Sequence, residues 1–155
     1  MKKIILIFNV IIISYSCKAQ NNTLNSNEIT INGINFFGNN VSLITQHFGQ
    51  PNSIENYYYE IDDVMTYKYV YDSIIFTTIN DITYSFEFTG GNYVFTSNNI
   101  KIGNNIHTLQ SIYPLSFINK NSDALYLDFN DIDRYIMISY NPDNNLIDKI
   151  AIYSY

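Results

Sequence analysis

Residues 38 to 51, "GNNVSLITQHFGQP", spell out a helix with its start and its stop. Asn39 or Asn40 can cap the first turn through a side-chain oxygen. Val41, Ile44 and Phe48 recur at helical spacing and mark one apolar face, with Leu43 and His47 beside it. Gly49 can take the left-handed conformation that ends a helix, and Pro51 forbids continuation. Residues 103 to 114, "GNNIHTLQSIYP", repeat the grammar with Asn104 and Asn105, then Ile106, Leu109 and Tyr113, and Pro114 as the stop. A helix of two turns is unstable alone, so each copy must rest on another element.

Strands follow both copies. In "TYKYVYDSIIFTTINDITYSFEF", Tyr67, Tyr69 and Tyr71 alternate with Thr66, Lys68 and Val70. Ile82, Tyr84, Phe86 and Phe88 alternate with Thr83, Ser85 and Glu87. Period two with one polar face marks a half-buried strand. Asn80-Asp81 leaves a hairpin-sized gap between two such runs. After the second copy come "ALYLDF", "RYIMISY" and "KIAIYSY", the last two separated by the turn "NPDNN". "ITINGINFF" reads as an additional strand leading into the first helix. The expected fold is therefore α+β: two tandem units, each a short helix followed by about three antiparallel strands, packed as one domain. Unit one covers about 29–91 and unit two about 92–155.

A chain of 155 residues with 46% apolar residues suits one domain with a sizeable core. Fifteen Tyr and ten Phe without a Trp favour strands over helices. Formal charge is −6, and without the first sixteen residues 6 basic side chains face 14 acidic ones. The remaining cations are scattered singly, so nucleic acid is not an expected partner. The same acidity argues against electrostatic docking on anionic lipid.

The chain opens "MKKIILIFNVIIISYSCKAQ", a basic start and a ten-residue apolar run that is too short to span a bilayer. Residues 1–16 read as a signal peptide. Two cleavages are compatible with it. In one, "SYSC" acts as a lipobox and Cys17 becomes the lipid-bearing N-terminus. In the other, cleavage after Ala19 removes Cys17 altogether. Either way the mature domain has no thiol for catalysis or a disulfide. Residues 17–28 form a polar tether. Lys18 stands where bacterial lipoproteins retained in the inner membrane carry Asp, which implies the outer membrane, facing the periplasm. A soluble periplasmic or secreted form is the alternative.

Gly38, Ile44, Phe48, Gly49 and Pro51 resemble the "G-x5-V-x3-LG-x-P" helix of the SmpA/OmlA (BamE-like) outer-membrane lipoproteins. Two units in tandem are similar to the secreted β-lactamase-inhibitor proteins. The second copy departs from the pattern, since Pro114 replaces the expected Gly. The resemblance implies a sheet and loops that bind other proteins rather than perform chemistry.

Little in the chain suggests catalysis. His47 and His107 sit at different points of the two helices, and no motif pairs either with an acid or a nucleophile. "DFNDIDR" gathers Asp128, Asn130, Asp131 and Asp133, but Ile132 stands at the third ligand position of the EF-hand grammar and no Gly follows. Asp62-Asp63 reads as a loop. Asp72-Ser73-Ile74 fits a short O-glycosylation motif of Bacteroidetes. Neither a metal nor a cofactor is expected. The candidate binding residues are Tyr57, Tyr58 and Tyr59, extended by Tyr67, Tyr69 and Tyr71, because Tyr supplies contact area with few rotatable bonds. The expected function is a non-enzymatic, lipid-anchored envelope protein that binds another protein through this Tyr-rich surface. An inhibitor or immunity protein, a purely structural envelope component and a glycan-active enzyme are the rivals.

Overall fold

A computed structural model describes residues 23–60 and 63–154. The signal segment, Cys17, the start of the tether, and Asp62 lie outside the described residues. Eight strands form one mixed sheet: β1 (Thr23–Leu24), β2 (Ser53–Tyr59), β3 (Val64–Val70), β4 (Ile74–Ile79), β5 (Ile82–Phe88), β6 (Ala124–Phe129), β7 (Arg134–Asn141) and β8 (Leu146–Ser154). Their order across the sheet is β1-β6-β7-β8-β5-β4-β3-β2. Only β1 and β6 run parallel; the other neighbours are antiparallel. The segment read as a tether is thus drawn into the sheet from Thr23 onward, with Leu24 buried.

The first quoted stretch forms α1 (Val41–Phe48). The Asn40 side chain accepts from the Ser42 N–H at 2.9 Å, and Gly49 ends the helix at φ 78°. Ile44 is fully buried, a contribution of about 2 kcal/mol. The second stretch behaves differently. Ile106–Gln110 is a 3-10 turn, and Pro114 opens a separate five-residue helix, α2 (Pro114–Ile118), instead of closing one. The reason lies in spacing. Two residues, Gly49 and Gln50, separate Phe48 from Pro51, whereas Pro114 follows Tyr113 directly. The proline ring disfavours the α conformation in the residue before it, and Tyr113 sits at φ −129°, ψ 66°.

The expected tandem of helix-plus-three-strand units is therefore not the fold. One sheet dominates, and α1 is the only helix among the described residues that completes two turns. What the two stretches do share is a backbone latch. Gly38 N–H donates to Thr83 O (2.9 Å), Thr83 N–H to Asn39 O (2.8 Å) and Val41 N–H to Asp81 O (2.7 Å). Gly103 to Ile147 (2.8 Å), Ile147 to Asn104 (2.9 Å) and Ile106 to Asn145 (2.8 Å) repeat it at β8. Each "GNN" thereby ties its segment to the start of a strand. "ITINGINFF" also departs from expectation. Asn32 (φ 53°) and Gly33 (φ 81°) reverse the chain, leaving only isolated bridges from Ile31 to Ile34 and to Phe95. The Asn-Gly pair is a hairpin signal that outweighs the flanking alternation.

The sheet buries one face. Ile74, Phe76, Phe86, Phe88, Leu125, Leu127, Ile136, Ile138 and Ile150 belong to a core shared with α1, the 3-10 turn and the loop residues Phe36, Phe95 and Ile100. Rings of Phe36, Phe48, Tyr71 and Phe76 meet with centroids 5.2–5.4 Å apart along Phe48 and Phe36. Residues opposite one another in antiparallel strands share a face. The register therefore puts Thr66, Lys68, Thr77, Ser85, Glu87, Lys149, Ala151 and Tyr153 on the other, open face.

Candidate functional site

A groove of about 570 Å³ runs over the open face from edge strand β2 to the seam between β5 and β8. Its position follows from two irregularities in the sheet. The register of β4 with β5 shifts between Thr77 and Thr78, since Thr77 pairs with Ser85 but Thr78 pairs with Thr83. Tyr84 is the extra residue, a bulge that turns its ring toward Arg134. The second irregularity is a split. β5 and β8 pair only at Glu87–Ala151 and Phe88–Ile150. Beyond that point Tyr84–Phe86 and Ile152–Ser154 line the groove without pairing with each other, although Ser85 and Phe86 stay paired to β4 and Ile152–Ser154 to β7.

Arg134, the first residue of β7, reaches across this split. Its guanidinium carbon lies 3.5 Å from the Tyr84 ring centroid and 5.4 Å from that of Phe37. Its Nη1 donates to the Tyr84 carbonyl at 2.6 Å. Burial lowers its pKa from the ordinary value, although the guanidinium stays charged at any physiological pH. Lys68 holds its ammonium 4.7 Å from the Tyr57 ring centroid. Tyr57 donates its hydroxyl to Glu55 at 3.0 Å, and this bond raises the tyrosine pKa. Lys149 pairs with Glu87 at 2.8 Å. Burial would lower the lysine, but the Glu87 carboxylate and the Tyr153 hydroxyl outweigh it and the pKa rises. Tyr126, Tyr135 and Tyr153 continue the open face as a ring ladder with centroids 5.8 and 5.7 Å apart.

The six candidate tyrosines divide between the faces. Tyr57 and Tyr59 stand on the groove side, more than two-fifths exposed. Tyr58 touches the groove rim and donates its hydroxyl to Asp63. Tyr67, Tyr69 and Tyr71 alternate onto the covered side. Tyr69 packs against the core, and Tyr71 is buried with its hydroxyl bonded to Gly49 O at 3.1 Å. Tyr84, Tyr153 and Arg134 were not singled out by sequence. They face the groove because of the bulge and the split, which a single sequence does not display.

The other candidates have structural occupations. Rings of His47 and Phe48 meet at 5.2 Å, and those of His107 and Phe117 at 5.4 Å. Asp131 accepts from Ser26 N–H (3.0 Å) and Oγ–H (2.6 Å), which ties the 3-10 turn Ser26–Glu28 to the β6–β7 connection. The Ser26 hydroxyl is the main reason its pKa is lowered.

No protein-family model matches the chain, and no curated protein sequence does. Solved structures are similar in fold. One is an extracellular protein containing an SCP domain from Bacillus anthracis, at 10% identity and a TM-score of 0.59, covering 77% of this chain and 44% of that one. Another is a cysteine-rich secretory protein from Staphylococcus aureus, at 12% identity and a TM-score of 0.53, covering 77% and 43%. The chain spans less than half the length of either. These neighbours replace the resemblance to SmpA/OmlA (BamE-like) and β-lactamase-inhibitor proteins, which is withdrawn. A capped two-turn helix closed by Gly satisfies local capping rules in any fold, so its spacing does not specify one. Both neighbours are described as extracellular or secretory, in agreement with an exported chain, and neither supports an outer-membrane lipoprotein.

Proposed function

We propose that this protein is an exported, non-enzymatic binding module that engages another protein through the open face of its sheet. The observation that carries the reading is the groove between Tyr57, Tyr59, Tyr84 and Tyr153, on a face that no helix or loop among the described residues covers. Aromatic side chains with hydroxyl tips suit protein recognition, since they bury area at small entropic cost. The two histidines pack on phenylalanines, which favours binding over acid–base chemistry. The amino-terminal sequence supports export, and Cys17 as a lipid-bearing residue in the outer membrane is the finer form of that reading. Mass spectrometry of the mature N-terminus decides it.

The test of the binding reading is a pull-down from envelope extract, followed by reconstitution with the purified captured protein. The wild-type chain is expected to form a complex of fixed stoichiometry, and Tyr57→Ala with Tyr59→Ala to weaken it at least about tenfold. An unchanged affinity in the double variant, with its fold intact, would remove the open face from the account.

A further inference from the structure

Among the described residues, the groove contains a half-buried cation, Arg134, with no anionic partner. Among the described residues the single ion pair is Lys149–Glu87. Arg134 is held, among the described residues, by a ring on either side and by one carbonyl, which engages one of its five guanidinium donors. The protein around it is acidic, so the placement of its positive charge is selective. Of the described cations Lys68, Lys101, Lys120, Arg134 and Lys149, two line the groove, Lys68 from β3 and Arg134 through the split. Within a Debye length of about 8 Å the local charges govern what a ligand meets, not the net charge.

The split beside Arg134 adds a second requirement. Backbone groups of Tyr84–Phe86 and Ile152–Ser154 face each other without strand pairing. Unpaired strand backbone is completed best by another extended backbone, which offers donors and acceptors at the same repeat. At the far end of the groove, β2 is an edge strand with all seven residues exposed, and Glu55 is its single charge. The opposite edge of the sheet is closed by a strand of two residues.

We propose that the groove receives an extended acidic segment of a partner polypeptide, with one carboxylate held by Arg134 and the backbone bonded along the β5–β8 split. This rests on the open face being the binding surface and names the chemistry it selects. Arg134 suits the role because a planar guanidinium, stacked and already desolvated, can present its remaining N–H groups to both carboxylate oxygens. Lys68, on the β3 side of the groove, adds positive charge to the field that the segment meets. The backbone requirement favours a polypeptide over an acidic polysaccharide.

The experiment is a fluorescence-anisotropy titration of the full mature chain with a labelled Glu-Thr alternating decapeptide. The same peptide with Gln for Glu and soluble polygalacturonate are the comparison probes. The Glu peptide is expected to bind at least about tenfold more tightly than the Gln peptide. Arg134→Gln should remove that preference and Arg134→Lys restore it in part. Lys101→Gln, away from the groove, should leave it unchanged. Amide resonances of Tyr84–Phe86 and Ile152–Ser154 should shift on binding. Because the Glu-to-Gln comparison is made in the ligand, it holds even if Arg134→Gln fails to fold. Equal binding of both peptides, binding of neither, or an Arg134→Gln chain that keeps the preference would overturn the carboxylate site. Binding of polygalacturonate alone would overturn the polypeptide assignment. If the reconstituted partner still depends on Tyr57 and Tyr59 in any of these cases, the open face stands and only its proposed chemistry falls.

Discussion

Thr78 and Thr83 face each other across β4 and β5, both fully buried on the covered side of the sheet. Neither hydroxyl has a partner among the described residues. A buried donor left unbonded costs about 1–3 kcal/mol, so an apolar group of the same shape should do better. Thr83→Val is expected to raise stability by about 1 kcal/mol, measured by urea unfolding; a loss would show that the hydroxyl is satisfied after all. Ile44 is the counterpart on α1. Ile44→Ala should cost about 3 kcal/mol, because a fully buried branched side chain leaves a cavity that the surrounding core fills only in part. An unfolding midpoint close to wild type would mean that α1 adds little to the core. At this scale the sequence was readable where one residue type has one use. Asn40 as a cap and Gly49 as a stop follow from capping rules alone. The unpartnered threonines were not readable, since burial of their hydroxyls depends on the bulge at Tyr84 beside them, which a single sequence does not display.

The elements show where local grammar stops deciding. The gap at Asn80-Asp81 is a tight hairpin, with both residues at positive φ (49° and 63°), as its length predicts. The second "GNN" stretch has equally good signals but is cut short by a proline two residues earlier than in the first, and coils only as a 3-10 turn. Spacing to the stop residue, more than apolar periodicity, separates the two. Asp131 illustrates how a loop carboxylate serves as a fastener. Its folded pKa is lowered by the Ser26 hydroxyl, so its contribution is complete above the ordinary carboxylate range and is lost as pH falls through the depressed folded value. Asp131→Asn should therefore be less stable than wild type at neutral pH, with the difference closing in strong acid. Parallel unfolding midpoints at pH 7 and pH 2 check this; a difference that persists in acid would assign the effect to packing.

For the whole molecule, the choice of faces matters more than the inventory of elements. Strand alternation correctly separates Tyr57 and Tyr59 from Tyr58, but it does not say which side the core will take. That depended on register, and register placed Tyr67, Tyr69 and Tyr71 toward the core while it brought Tyr153 and Arg134 beside Tyr84 from distant parts of the chain. A sheet covered on one face and aromatic on the other can bind through either its open face or its helices. The most direct measurement is a photo-crosslinking map with a reactive residue at Tyr59 or Tyr153 in the groove, or at Ile118 on α2, 75% exposed and outside the groove. The account predicts that Tyr59 and Tyr153 yield an adduct with the same reconstituted partner and Ile118 yields none. Adducts from Ile118 alone, or equally from all three positions, would contradict it.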